Sequence, residues 1–149
     1  MSHFKTALAI STLLLGIALI HKTFANETLA ISINNHQFTV ELAASAAERR
    51  QGLMHRSSLA PDSGMLFIYP EPQIISFWMK QTLIPLDLLF FDEDGQLIEL
   101  HNNMQPCKAT VCKTYTNKIP AQYALELAAG TATKLKFQVG NSFTIIESK

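Results

Sequence analysis

A mainly β (α+β) domain, built as a compact antiparallel barrel-like sheet with one short helix, is what the sequence predicts, and three observations carry it. Short apolar or alternating runs recur at 29–33, 37–42, 65–69, 76–80, 86–91, 96–101, 123–128, 134–139 and 142–147. Gly, Pro, Asn or Asp stands near most of their ends, as expected between strands. Asn34-Asn35, Asp94-Gly95 and Gly140-Asn141 lie between successive runs, where tight hairpins need positive φ. Helical spacing of any length occurs only at 43–51. So many short strands in one small domain are best buried by closing the sheet, with the helix over an open end.

Taken in order, residues 1–25 have a basic start at Lys5, an apolar core over 7–20 and Thr23-Phe24-Ala25 before Asn26. This is the pattern of a secretory signal peptide, and its apolar core is shorter than the roughly 20 residues of a spanning helix. Cleavage near Ala25 would leave 26–149 as a single domain, periplasmic or extracellular, with no stable membrane insertion; an uncleaved anchor is the alternative. Losing Lys5 and Lys22 from 12 basic residues against 12 acidic ones leaves the mature chain slightly acidic. With no basic run, nucleic acid and anionic lipid are excluded as electrostatic partners. No cofactor motif is present, so no cofactor is expected, and oligomeric state is left open.

The first two runs form a hairpin around Asn34-Asn35. Ser45 and Glu48 are spaced as a capping box at the helix start, and Gly52 ends that helix. Arg49 and Arg50 flank its packed stripe, either reaching a carboxylate such as Asp87 or lying over the core edge. Pro61-Asp62-Ser63-Gly64 is a turn, 65–69 a strand expected to pair with the central 86–91 run, and Pro70-Glu71-Pro72 a loop. In 86–91, Leu86, Leu88 and Phe90 share one face and Asp87, Leu89 and Phe91 the other, so both faces are largely buried. Asp87 therefore needs a partner. Lys80, on the face of the preceding strand that carries Trp78, is one candidate, and a backbone N–H at the strand end is the other.

Residues 102–114 are irregular and hold Cys107 and Cys112, which most simply form a disulfide in an oxidising compartment. His36, His55 and His101 show no metal-ligand spacing, so no metal site is expected from them. Residues 123–128 form a strand, 131–134 one helical turn, and 134–139 and 142–147 a last hairpin.

Seven runs, taken together, resemble a known family: Glu48-Arg-Arg-Gln-Gly-Leu-Met-His-Arg56, Gly64-Met-Leu-Phe67, Phe77-Trp-Met-Lys-Gln-Thr82, Ile84-Pro-Leu-Asp87, Phe91-Asp-Glu-Asp-Gly95, Tyr123-Ala-Leu-Glu-Leu127 and Val139-Gly-Asn-Ser142. Their order resembles the bacterial and archaeal domain of unknown function 192, also called uncharacterised protein family 0127. That family usually shows Asn where this chain has Gln81 and Asp where it has Asn141. The resemblance implies a compact, mostly β domain with one helix and brings no established activity; a cysteine pair ahead of the Tyr-bearing segment is similar to that of many exported members.

Among the residues matched, Arg49, Arg56, Lys80, Thr82, Asp87 and Glu126 have no packing reason, and their convergence beside Trp78 would make a mixed-charge pocket with an aromatic wall. Three functions follow as expectations. The first is a binding or accessory module of the cell envelope for a small anionic or carbohydrate-like ligand or an envelope polymer, using Arg56, Lys80 and Trp78. The second is a hydrolase or transferase with Asp87 as general base and Lys80 or an arginine stabilising negative charge; a glycosidase would need Glu126 as its second carboxylate. The third is copper handling through Met54, Met65, Met79, Met104 and His55.

Overall fold

The structure, a computed structural model, describes residues 27–146. The signal-peptide segment 1–25 lies outside them. In chain order the elements are β1 (Thr28–Ile33), β2 (His36–Ala43), α1 (Ala46–Gln51), β3 (Ser63–Gln73), β4 (Ser76–Trp78), β5 (Leu86–Phe91), β6 (Leu97–Met104), β7 (Thr114–Thr116), β8 (Ala121–Ala128), α2 (Thr131–Lys134) and β9 (Phe143–Ile145). Seven strands form one sheet in the order β6-β5-β8-β3-β2-β1-β9, and β4 with β7 forms a second, two-stranded one. The large sheet curls until its two edges meet at one corner, where Gln96 bridges Ser142 and the Leu97 N–H donates to the Asn141 carbonyl at 2.7 Å.

Alternation along the strands divides the core in two. Ile31, Val40, Leu66, Leu89, Leu125 and Leu127 pack together inside the curl with Ala132 of α2 and Phe137. Met65, Phe67, Leu88, Phe90 and Ala124 point the other way and meet Leu53 and Met79. All six residues of β5 are buried, which is why its sequence is almost continuously apolar. Gly64 stands where β3 approaches β8: a Cβ there would sit 2.6 Å from the Glu126 carbonyl oxygen, so only glycine allows the two backbones this close.

Five local expectations are corrected. β3 pairs with β2 and β8 rather than with β5, and its pairing with β2 is parallel, with the chain crossing over through α1. The Pro70–Pro72 stretch is extended within β3 rather than looped. It passes through an irregularity in the β8 register between Ile68 and Gln73, where no ladder N–H is required of proline. β4 ends at Trp78, so Lys80 stands outside any strand and forms an isolated bridge with Cys107. Residues 114–116, expected to fall at the end of an irregular stretch and beyond it, pair with β4. The run 134–139 is a turn, because the Phe137 N–H donates back to the Ala132 carbonyl at 2.9 Å and so closes the end of α2; β9 pairs with β1 instead.

Candidate functional site

Three segments far apart in sequence enclose a cavity of about 540 Å³ on the outer face of the sheet. α1 supplies the first wall. Its capping box forms as the spacing predicts, with the Ser45 hydroxyl accepting from the Glu48 N–H and the Glu48 carboxylate accepting from Ser45. This fixes the helix start and presents Arg49 and Arg50 in its last turn to the cavity. The Arg49 guanidinium lies 4.8 Å from the Tyr69 ring centroid and donates to the carbonyls of Ala44 and Ile68, the latter at 2.8 Å. Arg50 is exposed and has no hydrogen-bond or ion-pair partner among the described residues.

The second wall is β4 with the turn that follows, contributing Ser76, Phe77, Trp78 and Thr82. Trp78 is half exposed and Thr82 is buried. This wall is tied to the body at three places. Asn117, buried, accepts from the Ile75 N–H at 2.6 Å and donates to the Gln73 and Ile119 carbonyls. Trp78 pairs with Thr114, and the Cys107 N–H donates to the Met79 carbonyl at 3.0 Å. Cys107 and Cys112 are joined in a disulfide, as expected, with their Cα atoms 5.8 Å apart. That bond therefore ties Cys107, which holds Met79, to the segment just before Thr114, which pairs with Trp78. A loop this short contributes about 2 kcal/mol by the chain-entropy model. Replacing both cysteines with Ser should speed amide hydrogen exchange at 76–82 at least tenfold more than at 124–127, which reports the global loss alone; equal acceleration of the two segments would show that the bond does not brace this wall.

The floor is Glu126 of β8, paired in register with Met65 and Leu88 and pointing to the same side as they do. Only 5% of the residue is exposed, yet it lines the cavity, and its carboxyl has no hydrogen-bond or ion-pair partner among the described residues. Burial pushes that carboxyl up to about 8, so at neutral pH it is mostly protonated and can donate. Burial also raises the Tyr69 hydroxyl, with Arg49 opposing.

The structure thus brings together Arg49, Trp78, Thr82 and Glu126 and leaves out Arg56, Lys80 and Asp87. Arg56 pairs with Glu41 at 2.7 Å. Lys80 is exposed, its Nζ 5.6 Å from the Trp78 ring centroid. Asp87 is fully buried and faces the inner core. Its two carboxyl oxygens accept from the Asn103 and Ala132 N–H groups, each at 2.8 Å, and the second of these holds the start of α2. Asp87 therefore has the backbone partners that its burial requires, not Lys80, and from there it does not reach the cavity. Met65, Met79 and Met104 are packed in the outer-face core.

Sequence reasoning passed over Tyr69 and left the role of Arg50 open. The period of two that puts Met65 and Phe67 on the Glu126 face extends to Tyr69 and was the available signal. Between the two walls, His55 and Gln81 are both left-handed at φ 64° and 60°, and the His55 N–H donates to the Gln81 carbonyl at 2.9 Å. Asn, usual in the resembling family at this position, tolerates that conformation better than Gln does.

Among the described residues no helix is long and apolar enough to cross a membrane, and the disulfide fits an oxidising compartment. No curated protein matches the chain. Two solved structures are similar to it. A proposed transcription regulator from Sinorhizobium meliloti 1021 is 36% identical with a TM-score of 0.75, the match covering 80% of this chain and 95% of that one. A protein of unknown function from Novosphingobium aromaticivorans DSM 12444 is 28% identical with a TM-score of 0.76, covering 83% and 89%. The family model of domain of unknown function 192, described as an uncharacterized ACR, matches residues 29–145, and the chain belongs to that family.

Proposed function

We propose that this is an exported binding module of the cell envelope that holds a small anionic or carbohydrate-like ligand in the cavity between α1 and β4. The observation that carries this is Glu126: a buried carboxyl with no protein partner, opening onto a cavity of ligand size, has a hydrogen bond left to give. Trp78 supplies an exposed aromatic face of the kind that stacks on sugar rings, and Arg49 and Arg50 supply the positive charge. Arg50 takes the part expected of Arg56, whose guanidinium is engaged with Glu41. The export reading rests on the signal-like segment 1–25 and the disulfide. The role named for the S. meliloti protein has no electrostatic support in a chain with 12 basic and 12 acidic residues.

One observation favours an enzymatic second reading, in which Glu126, rather than Asp87, carries the proton: a carboxyl near 8 is suited to general acid work at neutral pH. No second carboxylate lines the cavity among the described residues, so the two-carboxylate glycosidase scheme lacks its partner there.

Trp78 is the only tryptophan, so its fluorescence reports the cavity rim directly. Titration with sugars, sugar acids and short carboxylates should change Trp78 emission and raise the melting temperature together for at least one compound. Silence in both signals across all three classes at millimolar concentration would refute the binding reading.

A further inference from the structure

Resting on the reading of the cavity as a binding site, we propose that its ligand is a small organic carboxylate, held between the Arg50 guanidinium and the Glu126 carboxyl with its body against Trp78. The charges around the cavity decide the sign. The titratable groups that line the cavity with Glu126 are Arg49 and Arg50 from α1 and Tyr69 from β3, and Lys80 stands at the rim with its Nζ 5.6 Å from the Trp78 ring centroid. β4 and its turn bring Ser76, Trp78 and Thr82, which do not titrate in the physiological range, and β5 brings only Leu88 beside Glu126 in register. Glu126 is thus the only acid among the residues that line the space.

With that acid neutral, the cavity carries two guanidinium charges and nothing negative. An ammonium or a metal cation meets repulsion, and an uncharged sugar gains little from the Arg50 charge. A carboxylate answers both ends. Its oxygens accept from the Arg50 N–H groups, which have no other partner among the described residues, and from the Glu126 O–H, which is equally free. Arg49, already spent on the Ala44 and Ile68 carbonyls, adds charge without needing to move. The proton on Glu126 stays there on binding, so the anion enters with the acid protonated and competes with its ionisation. Affinity is then linked to pH through one group whose position is fixed by the sheet.

The test uses calorimetric titration of the full chain with glucuronate and with glucose, which share a ring and differ in the carboxylate, from pH 6 to pH 9.5. Glucuronate should bind at least tenfold more tightly than glucose. Its affinity should be level up to about pH 8 and fall about tenfold per pH unit above it, as the Glu126 carboxyl ionises. Glu126→Gln keeps a donor in the same place and should bind glucuronate with that fall abolished. Arg50→Ala, at an exposed helical position that folding does not need, should weaken glucuronate at least tenfold and glucose little. Equal binding of the two sugars would overturn the carboxylate assignment and leave the cavity as a neutral-ligand site. The same pH fall in wild type and Glu126→Gln would overturn the role of Glu126. If neither sugar binds to folded protein the carboxylate proposal is overturned, while the wider binding reading stands or falls on the Trp78 titration.

Discussion

Between pH 5 and pH 8 the wild-type protein should lose stability that a Glu126→Gln variant keeps. Unfolded, the carboxyl ionises around its ordinary value of 4.5; folded, it is held up to about 8 by burial. Below the unfolded value both states are protonated and the side chain contributes no pH dependence. As pH rises, the unfolded chain sheds this proton while the folded one retains it, so unfolding becomes easier by about 1.4 kcal/mol for each pH unit crossed. The gap between variant and wild type should therefore open by about 3 kcal/mol from pH 4.5 to pH 7 and level off above about pH 8. Gln has nearly the same shape and cannot ionise, so subtracting its profile removes the contribution of every other group. Urea unfolding followed by Trp78 fluorescence at each pH measures the gap. Parallel profiles would mean that Glu126 finds a partner or water that relieves its burial.

This cavity shows where sequence reading stops. Glu126 could be picked out as a polar residue between Leu125 and Leu127, but its value as a ligand group comes from a cavity whose walls are 46–54 and 76–82, and no local pattern reports that these two segments face each other. The strands of 28–43 and 86–101 were readable, because their alternation and their turns are local chemistry, as was the Ser45–Glu48 capping box. Parallel pairing of β2 with β3 was not, since strand periodicity is the same in either direction and only the crossover through α1 distinguishes them. At 134–139 the alternation itself misled: Leu135 and Phe137 turn toward the core from a tight turn, which reproduces the period of a strand. Lys80 and Arg56 entered the expected site as polar residues of the matched runs without a packing reason, whereas the residues that reach the cavity are fixed by which side of α1, β3, β4 and β8 they occupy.

Asp87→Ala should remove about 3–5 kcal/mol of stability, a large share of what a domain of this size has. The sequence required a partner for this carboxyl and offered two, the Lys80 ammonium or a backbone N–H. The second holds, and twice over: the partners are the main-chain N–H groups of Asn103 near the end of β6 and of Ala132 at the start of α2. Glycine precedes α2 and provides no side-chain cap, so Asp87 acts as that cap from another strand. Removing it leaves two donors unmet, one of them buried, at about 1–3 kcal/mol each, and opens a void beside Leu127 and Ala132. Asp87→Asn separates the two effects. It keeps the volume and one acceptor but turns an NH2 toward a backbone N–H, so it should lose about half as much. Neither change should disturb the cavity, because the carboxyl lies on the opposite face of the sheet from Glu126. Denaturant unfolding gives the stability loss, and hydrogen exchange at Asn103 and Ala132 should quicken more than at Arg49 or Thr82. A loss below 1 kcal/mol in Asp87→Ala, with ligand binding or activity abolished, would reverse this assignment and return Asp87 to the functional site.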